Sequence, residues 1–257
     1  MDPIEAAPDW YDGYFEREWL DEIALQAPAE RTELQVAFLL DRLEPAPGRR
    51  VLDLACGHGR ISLPLARAGW RVTGLDLSER SLGLAREASE REALEIEWVR
   101  GDMREPPPGP FDAAINVFTS FGYFADEAEN QRVLDAVASA LVPGGLFLID
   151  TVNLLGLVKR YRERGFEQTE SGALFLQEHE FDVLTGRNRA RWTFVREDGS
   201  RSELVHSVRT YTPHELAVML VQAGLQVAGA WGDFEGAELT LDSWRLILLG
   251  QKQGAAE

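Results

Sequence analysis

The sequence predicts an α/β fold: a doubly wound, mostly parallel seven-stranded sheet with an antiparallel three-stranded insertion after the fifth strand. Three observations carry this. Short apolar strands alternate with helical patterns from about residue 50 to 152, which implies right-handed βαβ units and a sheet covered on both faces. Three strand-like runs joined by turn signals then follow one another without a helix between them. A capped helix and two further strands complete the pattern.

The elements follow in order. ELQVAFLLDRL (33–43) has helical apolar spacing and ends at Pro45, Pro47 and Gly48. RVLDLA (50–55) is a strand leading into a helix through about Arg67, and WRVTGLD (70–76) is the second strand. Ser78 caps SERSLGLAREASER. IEWVRGD (96–102), FDAAINVF (111–118) and LFLIDTV (146–152) are strands three to five, and the helix NQRVLDAVASAL precedes the last of them. LFLQEHEFDV, RARWTFVRE and SELVHSVRTY form a meander through Thr185-Gly186 and Asp198-Gly199. Thr212-Pro213-His214-Glu215 starts the last helix, with LQVAGAWGDF and SWRLILLGQ as final strands. The chain thus divides into an aromatic lid segment (1–32), a core (33–171), the insertion (172–211) and the last helix and strands of the core (212–257).

Composition narrows the function classes. Apolar residues make up 45%, as in a protein with a sizeable core. The N-terminus lacks the basic start and apolar stretch of a signal peptide, so a cytoplasmic location is expected. The single cysteine, Cys56, excludes an intrachain disulfide, and four histidines show no metal-ligand spacing. A formal net charge of −17, with 43 acidic against 26 basic side chains, repels polyanions and argues against nucleic acid as partner. No basic amphipathic helix suggests a membrane surface. Arg187, Arg189 and Arg191 alternate on one predicted strand and read as a solvated face; with Arg160, Arg162 and Arg164 they mark where a basic groove could form. The expected partner is a small-molecule substrate. The insertion either roofs its pocket or covers its own strand edges by forming a homodimer.

The strongest chemical signal is Val51-Leu52-Asp53-Leu54-Ala55-Cys56-Gly57-His58-Gly59-Arg60, a buried strand running into a glycine turn and a helix. Such a turn lets backbone approach a ligand closely, and the helix behind it offers unpaired N–H groups. The dinucleotide fingerprint also lies after a first strand, but Ser62 stands where its third glycine belongs. A carboxylate inside the strand, Asp53, is costly unless paired; a cationic ligand group would explain it. Asp76 closes the second strand, where a carboxylate can accept from both ribose hydroxyls. Asp102 could accept from an adenine amino group with Met103 packed near the ring, or could simply cap its loop.

VLDLACGHGR, VTGLDLS, GDM, FDAAINVFTSFGYF and LVPGGLFLID, in this order, resemble the successive motifs of class I S-adenosylmethionine-dependent methyltransferases, a Rossmann-like family. The resemblance spans roughly residues 33–152. It implies S-adenosylmethionine as cofactor, with Asp53, Ala55, Cys56, Gly57 and Gly59 around the methionine part. It further implies Asp76 and Leu77 at the ribose, Asp102 and Met103 at the adenine, and Asn116, Val117 and Phe118 near the methionine moiety. The layout of the insertion resembles small-molecule methyltransferases such as the amino-sugar and glycine N-methyltransferases. The Asn-Pro-Pro-Tyr motif of many nucleobase-methylating relatives is replaced here by Asn116-Val117-Phe118-Thr119. The competing readings are an NAD-dependent oxidoreductase and a non-catalytic adenosine-ligand-binding protein.

Trp10, Tyr11, Tyr14, Phe15 and Trp19 suit a lid that excludes water, and a Tyr14 hydroxyl could bond the methionine carboxylate. Phe118, Phe121, Tyr123 and Phe124 suit a pocket wall for an uncharged or cationic molecule, with Tyr123 the best substrate contact. Tyr123, His179 and His206 are the catalytic candidates. Nothing in the sequence marks a dedicated base, which favours an amine acceptor over a hydroxyl.

Overall fold

The computed structural model describes residues 3–17, 28–44, 46, 48–169 and 172–254. Trp19, Pro45 and Pro47 lie outside the described residues. A short 3-10 turn, Tyr14–Glu16, precedes helix α1 (Ala29–Leu43). The alternation then runs β1 (Arg50–Leu54), α2 (Ser62–Arg67), β2 (Arg71–Asp76), α3 (Glu79–Arg91), β3 (Glu97–Arg100), β4 (Phe111–Asn116), α4 (Glu127–Ala140) and β5 (Leu141–Val152). After α5 (Leu154–Arg160) come β6 (Arg164–Gln168), β7 (Leu174–Asp182), β8 (Arg187–Val195) and β9 (Arg201–Arg209). Helix α6 (Pro213–Gln222), β10 (Leu225–Trp231) and β11 (Arg245–Lys252) return to the first sheet.

That sheet has seven strands in the order β10-β11-β5-β4-β1-β2-β3. β1 to β5 pair in parallel, whereas β11 runs antiparallel between β5 and β10. Alternate strand residues go to opposite faces. Val51, Ala113, Leu148 and Ile247 pack under Val36, Leu39 and Leu43 of α1. Leu52, Ala114, Ile149 and Leu248 pack against Val133 and Val137 of α4 and Leu216 and Leu220 of α6. Local chemistry agrees with this layout: Ser78 accepts from Ser81 N–H, and Thr212 with Glu215 forms a capping box. No helix among the described residues is long and apolar enough to cross a membrane.

The insertion departs from its sequence reading in one respect. The second sheet has four strands, β6-β7-β8-β9, not three, and begins at Arg164 rather than 172. The added strand, RGFEQ, is exposed along its whole length, so it never needed the apolar alternation by which strands are recognised. One face of this sheet carries Phe175, Phe194 and Leu204, packed on Tyr14. On the other face Arg189 pairs with Glu180 (3.1 Å) and Arg191 with Glu178 (3.2 Å), so these arginines belong to a solvated ionic face. The sheet is anchored where Arg209 N–H donates to Gly122 O (2.8 Å). Gly122 has φ +90°, and a Cβ there would lie 2.2 Å from Arg209 O, so only glycine permits this approach.

Candidate active site

A cavity of about 690 Å³ opens at the C-terminal ends of β1, β2 and β4, the edge at which open α/β sheets bind ligands. The second sheet and the Trp10–Phe15 segment supply its remaining walls.

Its floor is the loop after β1. Ala55 (φ 55°), Gly57 (φ 57°) and Gly59 (φ 81°) are left-handed, and the loop is pinned by Cys56 N–H to Leu75 O (3.0 Å) and Gly59 N–H to Cys56 O (3.1 Å). A Cβ on Gly57 would meet nothing within 4 Å: the cavity itself occupies that space. Asp53, 1% exposed, accepts from Ser62 Oγ (2.6 Å) and makes no ion pair among the described residues. Burial pushes its carboxyl up to about 7, against the Ser62 bond and helped by the nearby Asp76 charge. Asp76 accepts from Gly57 N–H (2.7 Å) and Ser78 N–H (2.9 Å), and burial raises its carboxyl too, opposed by those bonds.

The mouth is built by the turn after β4. Phe118 and Thr119 are consecutive left-handed non-glycine residues, φ 66° and 64°, a strained arrangement that must be held from outside. Asp150 on β5 holds it: Oδ2 accepts from Phe118 N–H (2.9 Å), while Arg245 Nε on β11 donates to Oδ1 (2.7 Å) and Arg245 Nη1 to Thr119 Oγ1 (3.0 Å). The Phe118 ring, 48% exposed, lies under the guanidiniums of Arg31 (5.2 Å) and Arg60 (5.5 Å). Arg60 donates to Thr32 Oγ1 and Gln35 Oε1; Arg31 has no ion pair among the described residues.

On the opposite wall, Tyr14 OH shares a 3.0 Å hydrogen bond with His206 Nδ1. Burial drives His206 down to about 3, with His179 adding to the effect. Burial also lowers His179, whose Nδ1 meets Asn188 Nδ2 at 3.2 Å. Tyr123 is pushed up to about 12 by burial, against its bond to Ser120. Trp10 packs edge-on against both Tyr14 and Tyr123, each at 4.9 Å. All these groups are uncharged at neutral pH.

The profile of a methyltransferase-domain family matches residues 51–145, the span from β1 through α4 into β5. The protein YqeM of Bacillus subtilis, whose name assigns it to the methyltransferases, is 28% identical over 239 residues, 90% of this chain and 94% of its own. The glycine N-methyltransferase of Oryctolagus cuniculus is 33% identical over 166 residues, 58% of this chain and 56% of its own. The methyltransferase CcbJ of Streptomyces caelestis shares the fold, with a TM-score of 0.81 at 23% identity over 94% of this chain and 98% of its own. The chain thus carries a methyltransferase domain over residues 51–145 and is similar over most of its length to S-adenosylmethionine-dependent methyltransferases.

The cavity of this methyltransferase gathers most residues singled out from sequence. Asp53, Ala55, Cys56, Gly57, Asp76 and Leu77 line one side with Asp102 and Met103; Tyr14, Val117, Phe118, Tyr123, His179 and His206 line the rest. Three do not reach it. Phe121, expected in the pocket wall, is buried in the core with its ring 5.5 Å from that of Tyr211. Asn116 is fully buried, its Nδ2 donating to Leu54 O (3.1 Å), so it ties β4 to β1. Gly59 is needed for packing, since a Cβ there would lie 2.7 Å from the Trp98 ring. Two others are engaged elsewhere than expected. The Tyr14 hydroxyl is taken by His206, and Arg104 clasps the Asp102 carboxylate (Nη2–Oδ2 2.6 Å). Burial would raise the Asp102 carboxyl, but the Arg104 bonds together hold it below its ordinary range.

Sequence reasoning missed Arg31, Asp150 and Arg245. For two of them a signal was present: Asp150 interrupts LFLIDTV and Arg245 heads RLILLGQ, opposite charges in adjacent apolar strands. Arg31 sits on α1, remote in sequence from every motif, and carries no local signal.

Proposed function

We propose that the methyl acceptor is a small molecule and that its reacting atom is an amine nitrogen. The observation that carries this reading is the state of the two imidazoles on the second-sheet wall of the cavity, His179 and His206. A hydroxyl acceptor needs a base matched to neutral pH. His206, held near 3 and bonded to Tyr14, is far too weak, and no carboxylate pairs with either histidine among the described residues. A neutral amine needs no proton removed before it attacks. The likeness to a glycine N-methyltransferase agrees with this reading.

When bound, S-adenosylmethionine would supply an electrophilic sulfonium methyl group, with the thioether as leaving group of an in-line attack by the amine nitrogen. The chain supplies position and dryness. We assign Asp53 to the cofactor's ammonium, Arg31 to its carboxylate, Asp76 to its ribose hydroxyls, and the Asp102–Met103 turn to its adenine. The open space above Gly57 fits a ligand lying against that loop. Methyl transfer from labelled cofactor to matched panels of small amines and phenols tests the reading. Amines are expected to be labelled and phenols not; labelling of phenols alone, or of tRNA or duplex DNA in a salt-sensitive manner, overturns it. NAD is expected not to bind in a calorimetric titration.

The N-terminal segment is assigned as a strap over the cofactor. Ile4 N–H donates to Glu180 on the second sheet (3.3 Å), and Glu16 accepts from Glu79 N–H (2.8 Å) and Arg80 N–H (3.2 Å) at the start of α3. A carboxylate at free helix N–H groups contributes about 0.5–2 kcal/mol. Glu16→Ala is therefore expected to weaken S-adenosylhomocysteine binding about two- to tenfold while lowering the ligand-free melting midpoint by only a few degrees. Equal affinity in the two proteins counts against a strap.

A further inference from the structure

We propose that the acceptor subsite is built for a small organic oxyanion: the molecule that receives the methyl group carries a carboxylate or phosphate as well as its amine. This rests on the small-molecule reading above and names the chemistry of that same site. It reverses the charge expected from sequence, where the aromatic wall alone suggested an uncharged or cationic molecule.

Charge divides the cavity into two halves. Its acidic lining residues all belong to the β1–β3 side: Asp53 lies within β1, Asp76 ends β2 and Asp102 follows β3. The wall made by α5 and the second sheet has no carboxylate among the described residues, yet includes Arg160 and Arg162. Neither makes an ion pair among the described residues. Arg160 donates to the backbone oxygens of Gly156 (3.4 Å) and Asp242 (2.7 Å), and Arg162 to that of Tyr161 (2.9 Å). Carboxylates outnumber cations in this chain by 43 to 26, and Arg104, Arg189 and Arg191 all have acidic partners. Two guanidiniums facing a cavity without one leave positive potential for a ligand to meet. A cationic acceptor would find repulsion there and nothing to pair with.

A second observation is independent of charge. The indole Nε1 atoms of Trp10 and Trp192 are buried and have no hydrogen-bond partner. Both rings line the cavity and both flank His206, with centroids 5.6 and 4.6 Å from it. An indole nitrogen is a donor only, and buried donors are normally satisfied. Two such donors beside one imidazole call for acceptor atoms on the ligand, which an oxyanion has in abundance. The cavity's size suits a drug-sized molecule, and a net charge of −17 disfavours nucleic acid, so we assign the arginines to a small anion.

The test uses the full chain saturated with S-adenosylhomocysteine, titrated calorimetrically with indole-3-acetate, phenyl phosphate, indole-3-acetamide and tryptamine. One or both oxyanions are expected to bind at least about tenfold tighter than the amide and tryptamine, and the stronger of the two identifies carboxylate or phosphate as the preferred group. The double variant Arg160→Gln/Arg162→Gln is expected to lose this preference, and Trp192→Phe to weaken oxyanion binding several-fold while keeping the aromatic wall. S-adenosylhomocysteine affinity serves as the folding control for each variant. Amide or tryptamine binding as tightly as the oxyanions, no oxyanion binding at all, or a preference that survives the double substitution overturns the proposal. Failure of the parent protein to bind S-adenosylhomocysteine would instead overturn the reading of the site as a whole.

Discussion

Replacing Asp53 with asparagine is expected to abolish S-adenosylmethionine binding and, at pH 8, to raise the melting midpoint of the ligand-free protein. The first effect follows from the proposed ammonium partner: removing one member of a buried charge pair costs about 3–5 kcal/mol, a loss of at least about a hundredfold in affinity. The second follows from the carboxyl being held at about 7 by burial, above its unfolded value. Such a group favours the folded state fully below the unfolded pKa, and that contribution is lost as pH rises towards 7. Three units correspond to about 4 kcal/mol at most. Asparagine carries no such penalty and keeps Ser62 as a hydrogen-bonding neighbour. Melting curves of both proteins at pH 5 and pH 8 check this: the gain should be larger at pH 8. Destabilisation at both pH values would mean the carboxylate is paired in the free protein after all. Cofactor affinity of the parent should likewise fall as pH drops below 7, because protonated Asp53 no longer attracts an ammonium.

Asp76→Ala is expected to weaken cofactor binding at least about tenfold, since a charged acceptor of two ribose hydrogen bonds is removed. The structure adds a second reason. Asp76 also accepts from Gly57 N–H at 2.7 Å, so its loss frees the loop that lies against the methionine part. Asp76→Asn, which keeps one acceptor oxygen, should fall between parent and alanine variant. Titration of all three with S-adenosylhomocysteine decides the matter. Unchanged affinity in a folded alanine variant would reduce Asp76 to an anchor for the Gly57 and Ser78 amides.

The cofactor side of the cavity was legible in the sequence because one strand end, one glycine turn and one acidic strand terminus each lie within a few residues of chain. Local dihedral demands leave local traces: Gly57 and Asp76 could be read without knowing what stood opposite. The acceptor side was not legible, for the converse reason. Trp10, Trp192 and Arg162 come from three distant segments, and what makes them notable, among the described residues, is two indole N–H groups without an acceptor and a guanidinium without an acidic partner, properties of the assembled structure. Asn116 and Gly59 show the limit of motif reading. Both stand where cofactor-binding residues are expected, but one ties two strands together and the other makes room for Trp98. The strand β6 escaped notice because an exposed edge imposes no hydrophobic pattern.

The ion pair between Asp150 and Arg245 gives the chain an order of completion. Every motif of the cofactor half is encoded before residue 120, and a ribosome releases those residues early. The strained Phe118-Thr119 turn, however, is held by Asp150, and Asp150 is neutralised only when β11 slots in beside β5. Until then β5 is an open edge exposing a lone carboxylate among Leu148, Ile149 and Thr151. The mouth of the site is therefore completed by a strand encoded more than a hundred residues after the turn it supports. A nascent or C-terminally clipped chain carries the complete signature of its family in a form that has not yet closed around anything.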